Sequence, residues 1–153
     1  MGMEEPVVTP DAVRRERRGD VLLVTIDNPP NAALAAKVRR GLAAALDEVA
    51  EDSKLTAMVL AGSGSNFATG AGVTETVEDG TPELAEICDR IEASEKPVVA
   101  AITGAALGGG LEIALAAHMR VATPAARLGA PDITIGLVPN AGGTQRLPKV
   151  IGG

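Results

Sequence analysis

Two acidic residues in this chain stand alone among apolar neighbours. Glu112 is the only ionisable side chain between Pro97 and Ala117, with Leu111, Ile113 and Leu115 beside it, and Asp132 sits within Leu128-Gly129-Ala130-Pro131-Asp132-Ile133-Thr134-Ile135. A lone carboxyl group in apolar surroundings is costly unless it is paired, hydrogen-bonded or protonated. Such a group is suited to proton transfer, and two of them fit a division of labour between general acid and general base. For Glu112 a structural role, capping a neighbouring loop, stays open beside the catalytic one.

Immediately before Glu112 runs Thr103-Gly104-Ala105-Ala106-Leu107-Gly108-Gly109-Gly110, and after it Ile113-Ala114-Leu115-Ala116-Ala117. This reads as a glycine-rich turn opening a helix. First-turn amides have no acceptor within their own helix, and glycines let a ligand oxygen reach the backbone, so an anion or a developing oxyanion could be held here. The competing reading is that the glycines only allow the helix to pack tightly. A second glycine turn, Asn140-Ala141-Gly142-Gly143-Thr144-Gln145-Arg146-Leu147-Pro148, precedes another short helix, with Arg146 read as a loop tie rather than a catalyst. Gly62-Ser63-Gly64 lacks the next glycine of a dinucleotide fingerprint, which falls on Phe67, and there is no Gly-Lys-Ser/Thr phosphate loop.

The elements that must position these residues follow from the hydropathy pattern. Val21–Ile26 is a β-branched run stopped by Asp27-Asn28-Pro29-Pro30 and reads as a buried strand with its exit turn. Apolar residues at 34, 38, 42, 46 and 49 predict an amphipathic helix over 33–51. A second strand at 57–60, a loop of small residues over 67–73, a helix from Pro82 to about Ala93 and a third strand at 97–102 complete an alternation typical of α/β packing. Residues 1–19 read as a loose lead-in or a first strand, with 1–16 assigned to the lead-in, and the Arg14, Arg15, Arg17, Arg18 cluster as a solvated face.

At 153 residues the chain has room for one core and no second large domain. Fourteen Lys and Arg against twenty Asp and Glu give a net charge of -6, which argues against a nucleic-acid partner. One cysteine, Cys88, cannot form an internal disulfide, and one histidine, His118, cannot build a His-rich zinc site. The longest uncharged apolar stretch, Pro97 to Leu111, falls short of a membrane span, and the N-terminus has no apolar signal core. A cytoplasmic protein with no membrane partner is expected.

From about Arg17 to Gly153 the chain resembles the enoyl-CoA hydratase/isomerase family, the crotonase superfamily. The parts occur in the family's order: the Asn28-Pro29-Pro30 turn, the Phe67-Ala68-Thr69-Gly70-Ala71 loop, the LGGGLE segment from Leu107 to Glu112, and the PNAGGTQRL segment from Pro139 to Leu147. The resemblance implies an α/β fold, a spiral of ββα units, over residues 1–153, here as an N-terminal core without the family's C-terminal helices. It implies an acyl-CoA thioester ligand, no separate cofactor because coenzyme A is part of the substrate, and a homotrimer or dimer of trimers at full length. By motif, oxyanion-binding amides fall on Ala71 and Gly109, the two hydratase acids on Glu112 and Asp132, and substrate-binding positions on Asn31, Ala32, Thr69, Ala71, Gly72, Val73 and Gly108. Asp132 stands where hydratases usually carry Glu, and Gly72 where the family usually has Asp. The expected activity is hydration of 2-enoyl-CoA in fatty-acid β-oxidation; the alternatives are double-bond isomerisation and a non-catalytic acyl-CoA binding or assembly module.

Overall fold

The computed structural model describes residues 11–70, 75 and 79–152. The β-branched run over 21–26 pairs on both sides, as a strand without charged side chains should. It forms β2 (Val21–Ile26), antiparallel to β1 (Val13–Arg18) and parallel to β3 (Ala57–Gly62). β4 (Val98–Ile102) and β6 (Met119–Ala122) continue the sheet in parallel, giving the order β1-β2-β3-β4-β6. Parallel neighbours require crossovers. Helices α1 (Ala36–Glu51), α2 (Leu84–Glu92) and α3 (Gly109–Ala116) lie within the three successive crossovers.

A second, smaller sheet explains the spiral. β5 (Ala105–Leu107) pairs in parallel with β7 (Arg127–Gly129), and single parallel bridges Ala33–Thr69 and Ala68–Ala106 extend the same line of backbone pairing. Each turn of chain therefore gives one strand to the large sheet, a short extended piece to the small one, and then a helix. In the first two turns that piece has shrunk to one or two residues.

Three sequence expectations change. The lead-in over 1–16 gives way from Val13 onward to the first strand that was its alternative, because Val13 is buried and Arg14, Arg15 and Arg17 pair with Asp27, Glu48 and Asp52. The helix expected from residue 33 starts at Ala36, since Ala32 and Leu34 are committed to backbone hydrogen bonds with Thr69. The stretch over 103–110 is not all turn: it contains β5. Val21–Ile26 is β2 as expected, and the helices after Pro82 and after Gly142 (α4, Gly143–Ile151) form where the pattern puts them.

The core lies between the large sheet and the helices, with Leu22, Val24, Ile26, Met58, Leu60 and Phe67 essentially inaccessible. α3 is buried along its whole length, so one face of it must meet backbone rather than side chains. A Cβ at Gly110 would lie 1.9 Å from the Ala68 carbonyl oxygen, which is why glycine stands there. Among the described residues no helix is long and apolar enough to cross a membrane.

Arg39 is buried inside this frame and donates to the Leu34 and Pro82 carbonyls and to Glu75. Burial opposes the charge on Glu75, but the Ala36 N–H and the Arg39 guanidinium outweigh it and hold this carboxyl below its usual range.

Gly110→Ala should cost about 3 kcal/mol in urea denaturation, the upper end of overpacking, because the obstacle is backbone. Gly64→Ala, where an added Cβ meets nothing within 4 Å, should change stability by less than about 0.5 kcal/mol. Burial pushes the Cys88 thiol from 9.0 up to about 12. Between those values only the unfolded chain loses the proton, so stability falls as pH rises above 9. Cys88→Ala should flatten that alkaline limb, read from denaturation midpoints between pH 8 and 11.

Candidate active site at the start of the third helix

Glu112 lies in the first turn of α3 and is only 4% exposed. Among the described residues no cation pairs with it. Its Oε1 accepts the backbone N–H of Ala141 at 2.9 Å and that of Gly143 at 3.0 Å, both from the glycine turn before α4. Two charge-assisted hydrogen bonds offset the desolvation of a buried carboxylate and fix its direction. The fit leaves no slack: a Cβ on Gly143 would stand 2.9 Å from Oε1. Oε2 has no protein partner among the described residues.

Glu112 lines a largely apolar cavity of 210 Å³ together with Leu111, Leu115, Ala130, Leu147 and Pro148, and Thr144 is the other polar side chain in its wall. Asp132 reaches the same helix start from another side. It sits in a short 3-10 turn over Pro131–Ile135, and its carboxylate packs on Gly108, whose added Cβ would be 3.5 Å from Oδ1. Asp132 Oδ2 is buried without a hydrogen-bond partner. Gly108 and Glu112 are four residues apart, one helical turn, so both carboxyls border the first turn of α3.

The amide of Gly109 begins that turn. Among the described residues the Gly109 N–H has no acceptor, as expected for a first-turn donor. Gly108 makes room for the backbone here by adopting φ +54, a left-handed value that favours glycine. Gly70 closes on the same spot: its added Cβ would be 3.5 Å from the Gly109 nitrogen, and the Gly70 Cα lies as close to an added Cβ on Gly109. The two glycine-containing segments singled out for oxyanion binding thus converge, although Ala71 itself lies outside the described residues, as do Gly72 and Val73.

The other expected binding positions form one group. Thr69 donates its hydroxyl to the Asn31 carbonyl at 3.0 Å and its N–H to the Ala32 carbonyl at 3.1 Å, and Ala32 has φ +54. Through the Ala68–Ala106 bridge this group joins the strand leading to Gly108.

The arrangement can polarise a carbonyl oxygen at a helix start, with two carboxyls beside it and an apolar wall behind. A sequence profile of the Enoyl-CoA hydratase/isomerase family matches residues 16–153. The chain belongs to that family.

Among its relatives, the peroxisomal bifunctional enzyme of Danio rerio is 48% identical over 133 residues, covering 86% of this chain and 18% of that protein. A probable enoyl-CoA hydratase of Bacillus subtilis is 40% identical over 140 residues, covering 86% of this chain and 54% of that one. The crystal structure of enoyl-CoA hydratase from Mycobacterium tuberculosis superposes with a TM-score of 0.83 at 36% identity, over 91% of this chain and 56% of that one. The crotonase fold is therefore shared, and the chain spans just over half the length of these bacterial hydratases.

Family motifs did not disclose everything. The Ala141 and Gly143 amides that aim Glu112, and the apolar wall from α4, were not among the expected site residues. The signals for them were the Pro139–Leu147 motif, whose glycine pair at 142 and 143 reads as a turn, and the open reading of Glu112 as the cap of a neighbouring loop.

Glu112→Ala leaves two buried N–H donors without an acceptor and should cost about 2–4 kcal/mol in urea denaturation, whereas Glu112→Gln, which keeps an acceptor oxygen, should cost less than half as much.

Proposed function

We propose that this protein hydrates 2-enoyl-CoA thioesters, in the manner of fatty-acid β-oxidation. The observation that carries the proposal is Glu112: a buried carboxylate with one oxygen held by two peptide N–H groups and, among the described residues, the other unpaired, in a largely apolar cavity at a helix start whose first amide likewise has no acceptor there.

In this reading the thioester carbonyl oxygen accepts hydrogen bonds from the Gly109 and Ala71 amides. Negative charge that develops on that oxygen as the enolate forms is met by donors already in place. Unpaired Glu112 Oε2 and the carboxylate of Asp132 orient a water molecule and share its proton. The hydroxyl oxygen bonds to Cβ, the π electrons move toward Cα and the carbonyl, and a carboxyl then delivers the proton to Cα. Water is added whole, with no oxidant or reductant, and coenzyme A enters only as part of the substrate. Asn31, Ala32, Thr69, Gly72, Val73 and Gly108 are assigned to holding the thioester and its CoA arm.

A homotrimer or dimer of trimers in the cytoplasm is part of the same proposal. Support for assembly comes from the exposed apolar side chains of Ile133, Ile135, Val138 and Ile151, which are 81%, 67%, 74% and 71% accessible.

The test is hydration of crotonyl-CoA by the protein as its gene encodes it, followed at the loss of the enoyl thioester absorbance. Glu112→Gln and Asp132→Asn should each lower kcat by about 10²–10⁴ while binding of a saturated acyl-CoA persists. Formation of 2-enoyl product from a 3-enoyl thioester without hydration would replace this reading with isomerisation. Acyl-CoA binding without any turnover would replace it with a binding module.

A further inference from the structure

Arg146 is charged, on α4, and only 7% exposed. Burying a guanidinium requires that nearly every donor be used. Nη2 donates to Asp89 Oδ1 at 2.9 Å and to Glu92 Oε2 at 3.0 Å, and Nε to Glu92 Oε1 at 3.3 Å. Those bonds tie α4 to α2. The Arg146 hydrogen bond holds the Glu92 carboxyl below its usual range.

Nη1 does something different. It donates to the Ala141 carbonyl at 2.9 Å, inside the turn whose Ala141 and Gly143 N–H groups hold Glu112 Oε1. The turn is gripped from two sides, its N–H groups by a carboxylate and the carbonyl between them by a guanidinium. Contact on the cationic side is equally close. Gly142 has φ +88, and a Cβ added there would stand 2.1 Å from Arg146 Nη1. The side chain therefore occupies the space that the glycine leaves open.

We propose that Arg146 is a positioning residue for the proton-transfer chemistry: by holding the Ala141 carbonyl it fixes the peptide planes that aim Glu112. Asp89 and Glu92, which do not line the cavity, then orient the base from a distance by anchoring the guanidinium. A clamp between α2 and α4 would need only Nε and Nη2; the bond from Nη1 to the turn is what links the clamp to the carboxylate. This inference rests on the reading of Glu112 as a proton-transferring acid.

The test is a double-substitution cycle with Arg146→Gln and Glu112→Gln, read in two ways. In ¹⁵N–¹H spectra, Glu112→Gln should shift the Ala141 and Gly143 amide resonances strongly in the native background and at most half as much beside Arg146→Gln. In the hydration assay, Arg146→Gln should lower kcat about 10- to 100-fold with KM within about twofold, and should add nothing to Glu112→Gln. Arg146→Lys should not rescue kcat, since one ammonium cannot hold both α2 acids and the turn carbonyl in the same geometry. If Arg146→Gln does not fold, Glu92→Gln at a more exposed position carries both measurements, with smaller shifts in the same direction.

Unchanged amide coupling, or a loss of stability with kcat intact or with additive effects, would reduce Arg146 to a clamp and overturn the inference. Absence of hydration by the native protein would instead count against the reaction assigned above, while the spectra would still decide whether Arg146 and Glu112 are coupled.

Discussion

One carboxylate oxygen, buried with no countercharge among the described residues, organises this end of the molecule. Glu112 Oε1 is stable there because two peptide N–H groups, from Ala141 and Gly143, replace the water that folding removes. That requirement forces the turn before α4 to lie against the first turn of α3, although some thirty residues separate them. It also dictates that Gly143 carry no side chain, since a Cβ would meet the carboxylate. An apolar residue at 112 would remove the need for this turn, and with it the polar feature of the cavity.

The rest of the fold can be read as what makes that burial possible. α3 is enclosed along its length, which demands near contact between backbones: Gly110 against the Ala68 carbonyl, Gly109 against Leu84 and Gly70. The small sheet, built from β5, β7 and two single bridges, aligns the start of α3 with the Thr69–Gly70 segment. In the proposed hydration, a helix-start amide with no acceptor among the described residues, beside carboxyl groups, is what would stabilise an enolate and move its proton.

Much of this was legible before any coordinates. β2 coincides with the Val21–Ile26 run because Leu22, Val24 and Ile26 are buried on one face and the residues between them are half-buried on the other. Glu112 was conspicuous because no other ionisable residue lies within Pro97 to Ala117. Other features left weaker traces. β5, β6 and β7 are three or four residues long, too short for alternation to declare itself, and β5 lies in a stretch whose glycines announce a turn. β1 looks like a solvated run because five of its six residues are exposed; Arg14, Arg15 and Arg17 find their acids at β2's exit, on α1 and just after it, and Arg18 pairs with Glu16 in β1 itself.

Composition and order along the chain determined the α/β class, the family, and two isolated acids near a glycine-rich helix start. Tertiary structure alone decided that Glu112 points toward the Ala141–Gly143 turn, that Asp132 rests on Gly108, and that Arg146 joins α2 to that same turn. The division has a physical cause. Hydrophobic periodicity is local and survives in a one-dimensional reading, whereas a hydrogen bond between Glu112 and an amide about thirty residues away exists only once the sheet has brought both segments together, and peptide N–H groups leave no letter in the sequence.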